Sequence, residues 1–563
     1  MRYHLLATLG AAALLAGLTA CSTDGAPDRS AKAETDTMPT PVPPPPPPPQ
    51  PAAEMARAAS PVGGALPPPS QPMPGAVDRE RYEDVDPNPV KLVAEDPVST
   101  FSIDVDTASY ANVRRFLTDG VLPPRDAVRL EELINYFDYD YPLPDDAEAP
   151  FATHVTLVPS PWAEGRKLIQ VGLQGYDVEP DARPPLNLTL LVDVSGSMEA
   201  DDKLPLARKA LAMLVDQLGP EDRVSIVAYA GAAGEVLAPT PGNETRDILA
   251  AIDGMSAGGS TAGGEGLRLA YSLAEQGFRE EGVNRVMLLT DGDFNVGIAD
   301  PERLEDFVAR KRETGIYLSV LGFGRGNYND AMMQKIAQAG NGMASYVDTL
   351  NEARKILNED LTGNLFPIAD DVKIQVEFNP ARVAEYRLIG YETRQLDRAD
   401  FNNDAVDAGE IGAGASVTAL YEIAETGSDG RLIDAPRYGA RPDPATGDAD
   451  GEYAFLRLRY KLPGESTSRL IERPIGPDDE LATLEAAPDR VRFATAVAAY
   501  GQLLRGDPYL SGTFGWDGVI DMAQGARGED PFGYRAEFIS LARLAKTAQA
   551  QERLRQPGNG RPD

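Results

Sequence analysis

Leu186-Asn187-Leu188-Thr189-Leu190-Leu191-Val192-Asp193 is a short, nearly continuous apolar run that ends on a carboxylate. A strand with one face in water would alternate apolar and polar residues, so this run reads as a strand buried on both sides. Downstream, helix and strand patterns take turns. A helix is predicted over 203–218, with Leu204, Ala207, Leu211, Leu214 and Leu218 on one face, followed by a strand at 224–229. Helices at 246–252 and 267–274, a strand at 285–290, a helix at 302–314 and a strand at 317–323 follow. Such alternation predicts an α/β fold, a doubly wound and mostly parallel sheet with helices on both faces. Ligands of these sheets bind outside the carboxyl ends of the strands.

At that edge the chain continues Val194-Ser195-Gly196-Ser197-Met198. Asp193, Ser195 and Ser197 alternate along a turn, so one carboxylate and two hydroxyls can point to one spot. Oxygen-only ligands suit a hard cation, magnesium first, with manganese or calcium as alternatives. Ser, Asp and Gly are also ordinary helix-capping residues, so this pattern alone leaves metal binding and capping equally open. Two further segments add weight. Gly258-Gly259-Ser260-Thr261 turns into a helix, and Thr290-Asp291-Gly292 closes the 285–290 strand, which brings both to the same sheet edge.

Together, Asp193-x-Ser195-x-Ser197, Thr261 and Asp291 resemble the complete metal-ion-dependent adhesion site of von Willebrand factor type A (VWA) domains, whose fold is Rossmann-like. The resemblance runs over about 186–357 and implies a VWA domain at 184–362. It also implies that Ser195, Ser197 and Thr261 would bind the metal directly, with Asp193 and Asp291 acting through bound water. The stretch Asp291 to Gly297, the Gly326-Asn327-Tyr328-Asn329-Asp330 segment and the 101–110 segment are similar to a group of bacterial VWA lipoproteins. In that group the VWA domain lies between two uncharacterised regions. Asp293 is a candidate for the rim of the ligand site, with a helix-capping or solvated role as the alternative.

Neutral hydroxyls would leave a bound cation most of its charge and one position for an outside group. That position suits a carboxylate, so the expected partner is a protein presenting Asp or Glu. The expected function is therefore metal-mediated protein binding, and the chain is not expected to be an enzyme. Only His154 and His4 exist in the whole chain, which leaves a general base hard to name. The alternatives are a scaffold whose metal staples loops, and a metal-dependent hydrolase.

The remaining text sets the architecture. The 96–183 region is expected to be α+β, with a strand and helix within 102–116, a helix at 128–136 and strands at 151–158 and 167–173. Region 363–480 is expected to be β-rich, with strands at 372–378, 386–390, 417–423 and 455–462. Region 481–555 is expected to be helical, with helices at 490–504 and 536–546. Neither strand set is large enough for a stable sheet alone. They are therefore predicted to pair into one β-rich module into which the VWA domain is inserted.

At the start, residues 5–20 form an apolar run ending at Cys21, the single cysteine. It reads as a signal peptide over 1–20. Leu18-Thr19-Ala20-Cys21 resembles a lipobox, which implies acylation of Cys21 and an envelope location. Ser22 after the cysteine favours the outer membrane by the same resemblance. A Pro-rich, disordered linker is expected over 21–95; about 75 residues of such coil would reach roughly 50 Å. With 87 acidic against 53 basic residues and a formal charge of -34, a nucleic-acid partner is excluded, because a phosphate backbone would be repelled.

Overall fold

The computed structural model describes residues 80–555 apart from 85, 145–148, 179–182, 261–262, 293–300, 327, 435–450 and 511. Every residue of the Leu186–Asp193 strand is buried, as its apolar text requires. It lies between two parallel neighbours, Arg223–Tyr229 and Val283–Thr290. Ile316–Phe323 and Ala344–Val347 extend the parallel sheet on one side. On the other side Ala233–Pro241 adds an antiparallel edge, giving six strands. Leu188, Leu190 and Val192 pack on one face with Ala207, Leu211 and Leu214 of the Leu204–Val215 helix. Leu191 faces the opposite layer, against Leu267 and Ala270 of Gly263–Gln276. Each such fully buried Leu contributes about 1.5–3 kcal/mol of transfer free energy.

Outside this domain, strands from both ends of the chain interleave. Val98–Ser102 pairs antiparallel with Pro367–Phe378, placing Phe101 opposite Ile374. Arg166–Gly175 pairs antiparallel with Ser416–Glu425, placing Val171 opposite Ala419. The two resulting sheets share one core that includes Phe101, Val171, Ile374, Tyr421 and Leu456. The expected insertion of the VWA domain into a β-rich module is therefore the architecture. Helices Asp489–Arg505, Trp516–Gly525 and Tyr534–Arg555 cover the outer face of one sheet through Leu168, Ile389 and Leu420. The Ala108–Thr118 helix is a joint between the parts: Ala108 and Ala111 enter the VWA core, while Tyr110, Val113 and Leu117 enter the helical core. Among the described residues no helix is long and apolar enough to cross a membrane.

Several expectations need correction. The folded body begins before residue 96: Lys91–Leu92 pairs with Val383–Ile389, and Glu80 is bound by Arg115. The strand expected at the start of 102–116 lies earlier, at Val98–Ser102. The helix expected at 128–136 is only Leu130–Ile134, preceded by the 3-10 turn Arg125–Ala127. Edge strands Ala233–Pro241 and Arg469–Ile475 and the helix Trp516–Gly525 were not anticipated. Both edge strands are largely exposed and carry proline, so neither has the apolar text that marks a buried strand. The signal-peptide, linker and Cys21 expectations fall, up to residue 79, outside the described residues.

Candidate metal-binding edge

Asp193 ends the Leu186–Asp193 strand and Asp291 directly follows Val283–Thr290, so adjacent parallel strands bring both carboxylates to one edge. Both are fully buried. The backbone N–H of Ser195 donates to Asp193 Oδ1 at 2.8 Å, closing the turn that the Asp-x-Ser spacing allows. This turn brings Ser195 Oγ within 3.0 Å of Ser197 Oγ. Asp193 Oδ2 accepts from Tyr229 at 3.2 Å and from Thr290 Oγ1 at 3.3 Å. A third loop is tied on by backbone bonds: Gly258 N–H donates to Val194 O at 2.7 Å, and Gly196 N–H donates to Gly259 O at 3.0 Å. Thr261 follows that loop but, like Asp293, lies outside the described residues.

Burial pushes the Asp193 carboxyl up to about 6, and the nearby charge of Asp291 adds to the rise against the hydrogen bonds of Ser195 and Tyr229. Two carboxylates drawn together out of water call for positive charge. Lys203 supplies it on one side, with Nζ 2.8 Å from Asp291 Oδ2. The donors are all oxygen, hydroxyls beside carboxylates, and that chemistry fits a hard divalent cation. Among the described residues no group of three or more His, Cys, Asp or Glu could hold a metal, so any cation here would depend on the serine hydroxyls as well. His154 does not join the edge. It stacks on Tyr141 at 5.3 Å in the β-rich module and lies 2.9 Å from Pro142 O through Nε2.

The sequence matches the von Willebrand factor type A domain family over residues 187–359 and a family described as von Willebrand factor over 76–170. Residues 363–548 match the family described as uncharacterized protein YfbK, C-terminal. The uncharacterized protein YfbK of Escherichia coli K12 is 50% identical over 471 residues, covering 83% of this chain and 81% of that one. The chain belongs to the YfbK family. Beyond YfbK, the uncharacterized protein sll0103 of Synechocystis is 34% identical over 188 residues, 33% of this chain and 44% of that protein. A solved von Willebrand factor type A structure from Catenulispora acidiphila covers 75% of this chain and 91% of its own at 16% identity, with a TM-score of 0.37.

This YfbK-family chain carries a VWA domain, the kind of module that serves protein interaction or adhesion. Three residues at its edge escaped sequence reasoning. Thr290 and Tyr229 anchor Asp193, and Lys203 neutralises Asp291. A lysine placed just before an apolar helix was the one visible signal. Its pairing with Asp291 spans 88 residues and needed the fold.

Proposed function

We propose that this chain is an envelope-tethered binding protein that captures a protein ligand through a divalent cation held by Asp193, Ser195, Ser197, Thr261 and Asp291. Its principal support is the convergence of two buried carboxylates and two serine hydroxyls at one sheet edge. Magnesium is the cation of choice, with manganese or calcium as alternatives. When bound, it would supply a Lewis-acidic position for an Asp or Glu of the partner. Tyr229 and Thr290 hold Asp193 in place, and the Ser195 turn gathers the two serine hydroxyls beside each other. Cys21 acylation would tether the chain, with the outer membrane favoured by Ser22. Catalysis is disfavoured, because the one histidine that could serve Ser195 as a general base, His154, is packed in the β-rich module.

The Lys203–Asp291 ion pair favours a second reading, a scaffold edge that needs no metal to stay ordered. Pull-down from an envelope extract separates the two. Capture by the full chain should require magnesium and vanish in chelator and in Asp193→Ala, while the variant keeps its cooperative melting. Capture that persists in chelator would sink the adhesion reading. Mass spectrometry of the mature N-terminus should find diacylglycerol on Cys21, and an unmodified thiol there would remove the tether.

A further inference from the structure

A cavity of about 500 Å³ lies at the amino ends of the parallel strands, opposite the Asp193–Asp291 edge. The VWA domain supplies Arg285 and the π-helical turn Lys355–Glu359, and the β-rich module supplies Glu410 through Ser416. Such turns are rare and recur at functional sites. The cavity is large enough for a small organic ligand, but its lining is rich in amides, hydroxyls and charges where drug-like pockets are apolar.

Arg285 stands apart from the other cations on this wall. Arg183 is paired with Asp222 and Lys355 with Asp360. Arg285 is 3% exposed, donates through Nη1 to Ser319 Oγ at 2.7 Å and through Nη2 to Leu365 O at 3.4 Å. Among the described residues it forms no ion pair, and its Nε has no hydrogen-bond partner. A cation this deeply buried is costly to leave without a direct partner. The Tyr317 ring, its centroid 5.4 Å from Cζ, and the carboxyls of Glu410 and Asp370, neither within ion-pair reach, offset that cost only in part. Burial accordingly lowers its pKa to about 10. The same wall leaves acceptors unused: Asn358 Oδ1 and Glu410 Oε1 are buried without partners. Burial and the charges of Asp407, Asp370 and Asp371 push the Glu410 carboxyl well up. A cation with an unpartnered Nε and no direct ion pair, and unsatisfied carboxyl and amide oxygens, thus share one polar cavity.

We propose that this cavity is a second binding site, for a small hydrophilic carboxylate that also carries hydrogen-bond donors, namely a free amino acid or a dipeptide. Its carboxylate would meet Arg285, for which a planar guanidinium is well matched. Its ammonium or amide N–H would meet Asn358 and Glu410. An apolar ligand would strand these groups, and a bare metal ion would face Arg285. The site is independent of the metal edge.

Calorimetry on the full chain tests this with glycine, L-glutamate and alanyl-alanine as probes, and with acetate and methylamine as single-group controls. At least one zwitterion should bind saturably, in chelator as well as in magnesium. Arg285→Gln should weaken that binding about tenfold or more, and neither control should match it. Should Arg285→Gln fail to fold, Asn358→Leu on the cavity wall carries the same expectation. Absence of saturable binding by every zwitterion, binding indifferent to both substitutions, or acetate binding as tightly as the zwitterions would each overturn the proposal.

Discussion

Lys203 Nζ lies 2.8 Å from Asp291 Oδ2, with both side chains withdrawn from solvent. The ammonium offsets a carboxylate that would otherwise be buried beside Asp193. Removing one partner of such a pair costs about 3–5 kcal/mol, because the other charge is left uncompensated. Lys203→Met should therefore lower the melting temperature in chelator. Magnesium should restore much of the loss, and bind more tightly than to wild type, because a metal at this edge no longer competes with the ammonium. Equal destabilisation of Lys203→Met with and without magnesium would contradict this.

Gly324 makes room for that lysine. Its φ is +74°, and a Cβ built there would lie 2.2 Å from Lys203 Cγ. Gly324→Ala should destabilise through backbone strain of about 1 kcal/mol and through displacement of the lysine stem. The second part disappears once the stem is cut back to Cβ, as in Lys203→Ala. A double-mutant cycle with Lys203→Ala should thus give a coupling of about 0.5–3 kcal/mol, and strict additivity would place the lysine elsewhere.

A different region governs the response to pH. Burial pushes the Glu131 carboxyl up to about 8, with the charges of Glu392, Asp104 and Glu132 adding to it. Its Oε2 accepts the Tyr391 N–H at 2.9 Å, a role a glutamine can keep. A carboxyl whose pKa is raised on folding holds a proton that the unfolded chain releases. Its contribution is complete below the unfolded value, near 4.5, and is lost as pH rises through about 8. Glu131→Gln should leave stability nearly unchanged at acid pH and raise it at alkaline pH, by at least about 1.4 kcal/mol, the worth of one pKa unit. Urea titrations across that range check it, and parallel wild-type and variant curves would refute it.

How much of this was legible in the sequence depended on whether burial was written locally. Leu186–Asp193 reads correctly because a strand covered on both faces must be apolar throughout. Asp193, Ser195 and Ser197 were legible because one short turn holds them, and Asp291 because it closes an apolar strand. Ala233–Pro241 was not, because an exposed edge strand has no such demand. Trp516–Gly525 hid for a similar reason: Trp516, Val519, Ile520 and Ala523 are buried with Met522 beside them, and glycines interrupt the text. Lys203 and Arg285 were read only as parts of their helix and strand. Their partners, or lack of them, are set by chain crossings that a single sequence does not display.

Arg114 carries the last prediction. From the Ala108–Thr118 helix its guanidinium pairs with Asp348, with Glu352 at 2.6 Å and with Glu537 at 3.1 Å. The first two acids flank and open the Leu350–Arg354 helix that ends the VWA domain, and Glu537 belongs to the Tyr534–Arg555 helix. One side chain thus joins the inserted domain to the helical layer. Burial already raises the Glu352 carboxyl, and the Arg114 charge restrains that rise. Arg114→Met removes the restraint, so Glu352 should hold its proton to higher pH. The loss, about 3–5 kcal/mol near neutrality, should therefore shrink at acid pH, where Glu352 is neutral in both folded and unfolded chains. Arg114→Lys should rescue little, because a single ammonium cannot serve three carboxylates as a planar fork does. In calorimetry the wild type is expected to melt in one transition and Arg114→Met in two, with the VWA domain and the β-rich module melting apart. A single transition shifted equally at all pH values would place the junction elsewhere, on the packing of Ala108 and Ala111 alone.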